Sequence, residues 1–237
     1  MQSQQISKAE VLKKILLNPI IVLILSIAIF TIAQLVGVSI ASKLFNGAGS
    51  TNLIMSSYVV FSSLFLLLFI FITKKILKFK WSTLGVKWPS WKGMSAAVPA
   101  LFSYFVISLI LTFIATKIVP GFKLEQAQDV GFKDIKQPVE LILAFLALAV
   151  FTPIMEELIF RGMLFKGLSK RLPFWISAVV TSLVFATLHG QWNVAVDTFA
   201  LSLILCYLVK RYDSILPTIF LHAIKNSIAF TLLFVIK

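Results

Sequence analysis

The stretch LILAFLALAVFTPIMEELIFRG, residues 141–162, decides the fold. Leu141–Met155 carries no charged residue, and two adjacent carboxylates, Glu156 and Glu157, close the run. A membrane span needs about 20 mainly apolar residues, and Pro138–Phe160 supplies one. Ionisable groups at such depth are costly and mark function by default. Arg161 follows Glu157 by four residues, so the two share a helix face and can pair. Glu156 points about 100° away. One carboxylate is thus matched and its neighbour is left free.

Outward from this run, further spans are predicted at Pro19–Ser42, Leu53–Thr73, Ser95–Ile118, Pro173–Leu188, Val194–Val209 and Ile215–Ile236. The fifth and sixth in chain order are short. The expected fold is all-α, a polytopic membrane bundle of seven helices, or eight if one linker holds a re-entrant piece. Composition excludes a soluble protein. Of 237 residues, 59% are hydrophobic and only 13% charged, with a mean hydropathy of +0.98. Soluble domains run at about 45–50% apolar and about 25% charged. The chain reads as one integrated membrane domain. Residues 1–137 hold the N-terminal spans and a basic loop, and 138–237 form a four-helix core with the chemistry.

The net charge of +13 reports topology rather than nucleic acid, because the basic residues fall between spans and no nucleic-acid-binding motif accompanies them. Lys8, Lys13 and Lys14 precede the first span. Lys74, Lys75, Lys78, Lys80, Lys87 and Lys92 follow the second. Arg161, Lys166, Lys170 and Arg171 follow the fourth, and Lys210 and Arg211 the sixth. This alternation predicts a cytosolic N-terminus and a C-terminus outside, as in a bacterial cytoplasmic membrane. The run Pro19–Ala41 exceeds the about 7–15 residues of a signal-peptide core, so it reads as an uncleaved span. Trp81, Trp88 and Trp91 lie among the lysines of the second connection, where aromatic side chains occupy the headgroup belt. The single cysteine, Cys206, excludes an internal disulfide.

The two histidines, His189 and His222, each close or interrupt an apolar run. Phe185 precedes His189 by one helical turn, and Asn226 follows His222 by one. If the fourth and fifth spans form a hairpin turning at Leu172–Pro173, Glu156 and His189 stand at equal height, about 24 Å from the turn. Bringing His222 level requires Arg161–Arg171 to protrude into the cytosol. It also requires the Gly190–Asn193 turn to be buried in protein, with Gln191, Asn193 and Asp197 lining a polar interior.

Three strings in order, Glu156-Glu157-Leu-Ile-Phe-Arg161-Gly162, Phe185-Ala-Thr-Leu-His189 and His222-Ala-Ile-Lys-Asn226, resemble the CPBP family of intramembrane endopeptidases. That family includes type II CAAX prenyl endopeptidases, bacteriocin-processing and self-immunity proteins, and lysostaphin-resistance-like proteins. The resemblance covers about residues 138–230. It implies that Glu156 activates water, that Glu157 and Arg161 form a supporting pair, and that His189, His222 and Asn226 complete the site. Where the family carries glycines after a sixth-span phenylalanine, this chain has Ser202 and Cys206 after Phe199. The residue types fit amide hydrolysis, with a carboxylate base and imidazole or amide groups to hold the oxyanion. Glu156, His189 and His222 are also a sufficient ligand set for a divalent metal such as zinc, although His-Glu-x-x-His is absent. The leading reading is an intramembrane endopeptidase acting from the cytosolic side on a membrane-associated peptide or lipidated substrate. The alternatives are a non-catalytic scaffold or bacteriocin self-immunity protein that binds a partner, and a small transporter, for which the expected inverted repeat is missing.

Overall fold

The computed structural model of the chain describes residues 50–76, 80–124, 135 and 137–236, with isolated positions 21, 28 and 43. The span predicted at Pro19–Ser42 therefore lies outside the described residues. Among those residues all regular structure is helical. Helix α1 is Ser50–Phe71 and opens into a wide turn, Ile72–Ile76. A short turn at Trp81–Leu84 follows. The remaining helices are α2 (Trp91–Ile118), α3 (Pro138–Leu168), α4 (Phe174–Thr187), α5 (Trp192–Tyr212) and α6 (Leu216–Val235). Four of them, α2, α3, α5 and α6, are long and apolar enough to cross a membrane.

Local chemistry sets the helix ends. Pro138 opens α3, where its missing N–H costs nothing, and Glu140 returns a carboxylate oxygen to the Gln137 N–H at 3.0 Å, half of a capping box. At the close of α5, Asp213 takes the left-handed conformation with φ 48°. Helix α4 has 14 residues and rises about 21 Å, less than the hydrocarbon thickness of about 30 Å. It is a supporting strut beside longer neighbours.

Two apolar clusters hold the bundle. Phe61, Phe65 and Phe69 of α1 pack with Leu158, Ile159, Phe160 and Phe165 of α3 and Phe185 of α4. Tyr104 of α2 joins Leu201, Leu205 and Leu208 of α5 and Leu221 of α6. The opposite face of α2 is turned outward, with Phe102, Leu109 and Phe113 between 63% and 72% exposed. This is the side a lipid-facing helix leaves unpartnered.

The tryptophan-rich connection between α1 and α2 is clamped onto the ends of α3, α5 and α6. Gly85 has φ 77°, and its carbonyl accepts the Ile215 N–H at 2.9 Å. Ser214 Oγ donates to the Lys87 carbonyl at 2.6 Å. Asp213 takes ion pairs from Lys87 and Lys166. Partial burial would raise the Asp213 carboxyl, but the two ammonium groups hold it below the usual carboxylate range. Gly162 permits the closest approach, since a Cβ there would stand 2.9 Å from the Leu84 carbonyl oxygen. Trp81, Trp88 and Trp91 remain exposed.

Two expectations are corrected. Helix α3 does not stop at Phe160 but continues to Leu168, so Arg161 lies inside it and is fully buried rather than in the connection that follows the span. Its carboxylate partner Glu157 and the aromatic face of Phe185 make that burial tolerable. The Gly190–Asn193 turn is not sequestered either. Gly190, with φ 70°, and Trp192 are exposed, and only the side-chain oxygens of Gln191 and Asn193 are buried.

Candidate active site

The backbone of α3 is distorted where the candidate carboxylates sit. Leu146–Phe151 and Glu157–Phe165 wind more widely than an α-helix, a feature common at functional sites. Pro153, between them, has no N–H to donate. The Thr152 N–H reaches five residues back to the Ala147 carbonyl. In that register the next carbonyl, Leu148, would face Pro153 and go unpaired. Asn226 of α6 fills the position instead, its Nδ2 donating to Leu148 O at 3.0 Å.

Glu156 and Glu157 have different surroundings. Glu157 is fully buried, and Arg161 Nη1 donates to its Oε1 at 3.0 Å. His222 Nδ1 approaches the same oxygen at 2.9 Å. Because a carboxylate only accepts, Nδ1 is the donor in this contact. Glu156 is 24% exposed, and its Oε2 lies 3.5 Å from Nε2 of His222. His222 therefore stands between the two glutamates, anchored by one and open toward the other.

His189 closes α4. Its Nδ1 lies 2.9 Å from the carbonyl of Phe185, one of the last-turn carbonyls that a helix end leaves unpaired. A carbonyl oxygen only accepts, so Nδ1 is the donor here too. Phe185 is the hub. Its ring lies 5.0 Å from that of His189, 6.0 Å from His222 and 4.9 Å from Phe160, centroid to centroid. The Arg161 guanidinium stacks 4.6 Å over the same ring, so a cation–π contact joins the Glu157 pairing in making its burial possible. Ser202 and Cys206 of α5 are fully buried, as small residues at a close helix contact should be.

The structure thus brings Arg161, His189 and His222 around the Phe185 ring, sets Glu156 and Glu157 beside His222, and turns Asn226 toward the α3 backbone. For a metal, the donor chemistry fits. Both imidazoles present Nε2 with Nδ1–H on an oxygen acceptor, the arrangement usual for metal-bound histidine. The spacing does not fit, because among the described residues no three His, Cys, Asp or Glu side chains group closely enough to hold one ion.

The sequence pattern does not reveal the partners of the polar network beside His222 on α6. Asp197 of α5 accepts hydrogen bonds from Tyr104 and Ser108 of α2, each at 2.6 Å. It also pairs with Lys225 of α6 at 3.1 Å. The signals that point toward it are Asp197, expected in a polar interior, and a lysine inside an apolar span.

Residues 138–228 match the family model described as type II CAAX prenyl endopeptidase Rce1-like. A curated relative, "Putative membrane peptidase YdiL" of Bacillus subtilis (strain 168), is 27% identical over 126 residues, 52% of this chain and 51% of that protein. The chain spans about half the length of this relative. No solved structure matches. The matched region coincides with the helices that carry the glutamate–histidine cluster, and over it this integral membrane protein is similar to that family of membrane endopeptidases.

Proposed function

We propose that the chain is an intramembrane endopeptidase. It hydrolyses a membrane-associated peptide or protein precursor, reached from the cytosolic side, with Glu156 as general base. The observation that carries this reading is His222 held between a buried, charge-compensated Glu157 and a partly exposed Glu156. Glu156 takes a proton from water as the oxygen attacks the scissile carbonyl. The neutral Nε2 of His222, 3.5 Å away, receives that proton and returns it to the departing amine. Glu157 stabilises the imidazolium that forms, and Arg161 keeps Glu157 ionised at depth. This is the base–orienter logic of nucleophilic hydrolases applied to water. His189, across Phe185, holds the developing oxyanion through Nε2 after taking a proton there from solvent. Asn226 commits one amide N–H to Leu148 and has a second to offer the carbonyl. Ser202 and Cys206, in place of the family's glycines, shape the substrate path beside Arg161.

The basic residues at the Trp81–Trp91 end suit precursors docked on anionic lipid. Glu156, His189 and His222 are not grouped closely enough to share a divalent ion, and no step here requires one.

The test is cleavage of a membrane-extracted precursor pool by the purified protein in liposomes, read by mass spectrometry with and without chelator. The expected result is cleavage that Glu156→Gln abolishes and that EDTA leaves intact. Loss of cleavage with EDTA and recovery with zinc would replace this route by a metal-dependent one. Absence of cleavage, together with retained capture of a partner by Glu156→Gln, would favour the scaffold or self-immunity reading.

A further inference from the structure

Lys225 sits on α6 three residues after His222 and one before Asn226. The three side chains project within about one turn of helix; two are fixed to α3 and the third to α5. His222 meets Glu157 of α3 at 2.9 Å. Asn226 meets the Leu148 carbonyl at 3.0 Å. Lys225 meets Asp197 of α5 at 3.1 Å. Asp197 is in turn held by Tyr104 and Ser108, one turn apart on α2 and each 2.6 Å from Oδ1. The pair is largely shielded, with side-chain exposures of 18% for Lys225 and 28% for Asp197.

Stability alone does not account for such a pair. An ion pair taken out of water gains little or nothing over apolar residues of the same volume, and its best-attested use is to select one register. Around it the α2–α5–α6 contact is otherwise apolar, formed by Leu201, Leu205, Leu208 and Leu221 with Tyr104. Leucine surfaces of this kind tolerate small rotations. A rotation of α6 by about 20° moves a side-chain tip about 6 Å from the axis by about 2 Å, from helix dimensions. That is enough to separate Nε2 of His222 from Glu156, and misplacements of about 1 Å cost reactions of this type about a hundredfold.

We propose that the Lys225–Asp197 ion pair, tied to α2 by Tyr104 and Ser108, is a positioning lock that sets the rotation of α6 and thereby seats His222 between Glu156 and Glu157. Through it α2, which lies outside the family-matched region, becomes part of the reactive assembly. Its consequence for turnover rests on the endopeptidase reading, whereas its consequence for His222 does not.

The chain has two histidines, so 15N-histidine labelling of the protein in nanodiscs gives two imidazoles to follow. The wild type should show His222 in the Nδ1-protonated, carboxylate-bonded form. In Asp197→Asn/Lys225→Met, which leaves no unpaired charge, the His222 signals should move toward a mixture of tautomers while those of His189 stay. Precursor cleavage should fall at least tenfold. Tyr104→Phe/Ser108→Ala, which removes only hydroxyl groups, should produce the same change in smaller degree, with cleavage down about threefold, and Lys225→Arg should restore the wild-type spectrum. Unchanged His222 signals in the folded Asp197→Asn/Lys225→Met protein would overturn the lock. If that protein does not fold, unchanged signals in Tyr104→Phe/Ser108→Ala overturn it equally. A moved His222 spectrum in a protein whose wild type cleaves no more than Glu156→Gln would keep the lock and remove the endopeptidase reading.

Discussion

Glu157 shares a single oxygen between Arg161 and His222 and has no contact with solvent. Removing its charge strands Arg161 in the interior. Glu157→Gln should therefore cost about 3–5 kcal/mol of stability, the usual penalty for breaking a buried pair from one side, read from denaturant unfolding in a fixed detergent. Glu156 is partly exposed and loosely held, so Glu156→Gln should unfold within about 1 kcal/mol of wild type. Its turnover should nonetheless fall by about 10²–10⁴, the range for loss of a general base. Equal stability losses in the two variants would contradict this division. The i,i+4 spacing alone makes the Glu157–Arg161 pair legible in the sequence. The burial of Arg161 is not legible there, because it depends on the Phe185 ring, 24 residues further along the chain and on another helix.

Helix α3 carries the distortion that the site depends on, and two changes probe it. Asn226→Ala leaves the Leu148 carbonyl unpaired and should cost about 1–3 kcal/mol. In a Pro153→Ala background the backbone regains an N–H at that point, so the same change should cost less than half as much. A double-mutant cycle from unfolding curves measures the coupling, and strict additivity would show that Asn226 does not serve the break. Gly162→Ala pushes a Cβ against the Leu84 carbonyl and should destabilise by about 1–3 kcal/mol, the range for overpacking. A thermal midpoint equal to wild type would show that the Trp81–Leu84 turn can move aside. Hydropathy locates this helix but not its wide turns. In a run as uniformly apolar as Leu141–Met155, no pattern of polar residues distinguishes one winding from another. The same uniformity hides its end, since the apolar surface continues past Arg161 through Met163, Leu164 and Phe165.

The bundle is readable because a bilayer permits few solutions for long apolar segments, and five of the predicted spans coincide with α2–α6 to within a few residues at most ends. How the helices meet is not readable in the same way. Asp197 and Lys225 lie 28 residues apart on separate spans, and only packing makes them neighbours. The Asp213 clamp, equally non-local, gives the assembled protein a pH signature. Its carboxyl lies below the usual range in the folded state, so the stabilisation is present above about pH 4, the unfolded aspartate value. It is lost as pH falls through the folded value. Asp213 is largely exposed and its pairs are worth at most about 1 kcal/mol each. Asp213→Asn should thus be slightly less stable than wild type at pH 7, and the two should converge in acid; a gap that widens on acidification would contradict the clamp.

The most direct measurement compares peptides from membranes and medium of the native host carrying either the wild-type chain or Glu156→Gln at equal expression. The glutamate–histidine account predicts a precursor that accumulates only with Glu156→Gln, its cleaved product appearing only with wild type. Identical peptide sets, with the host phenotype complemented by both forms, would contradict it.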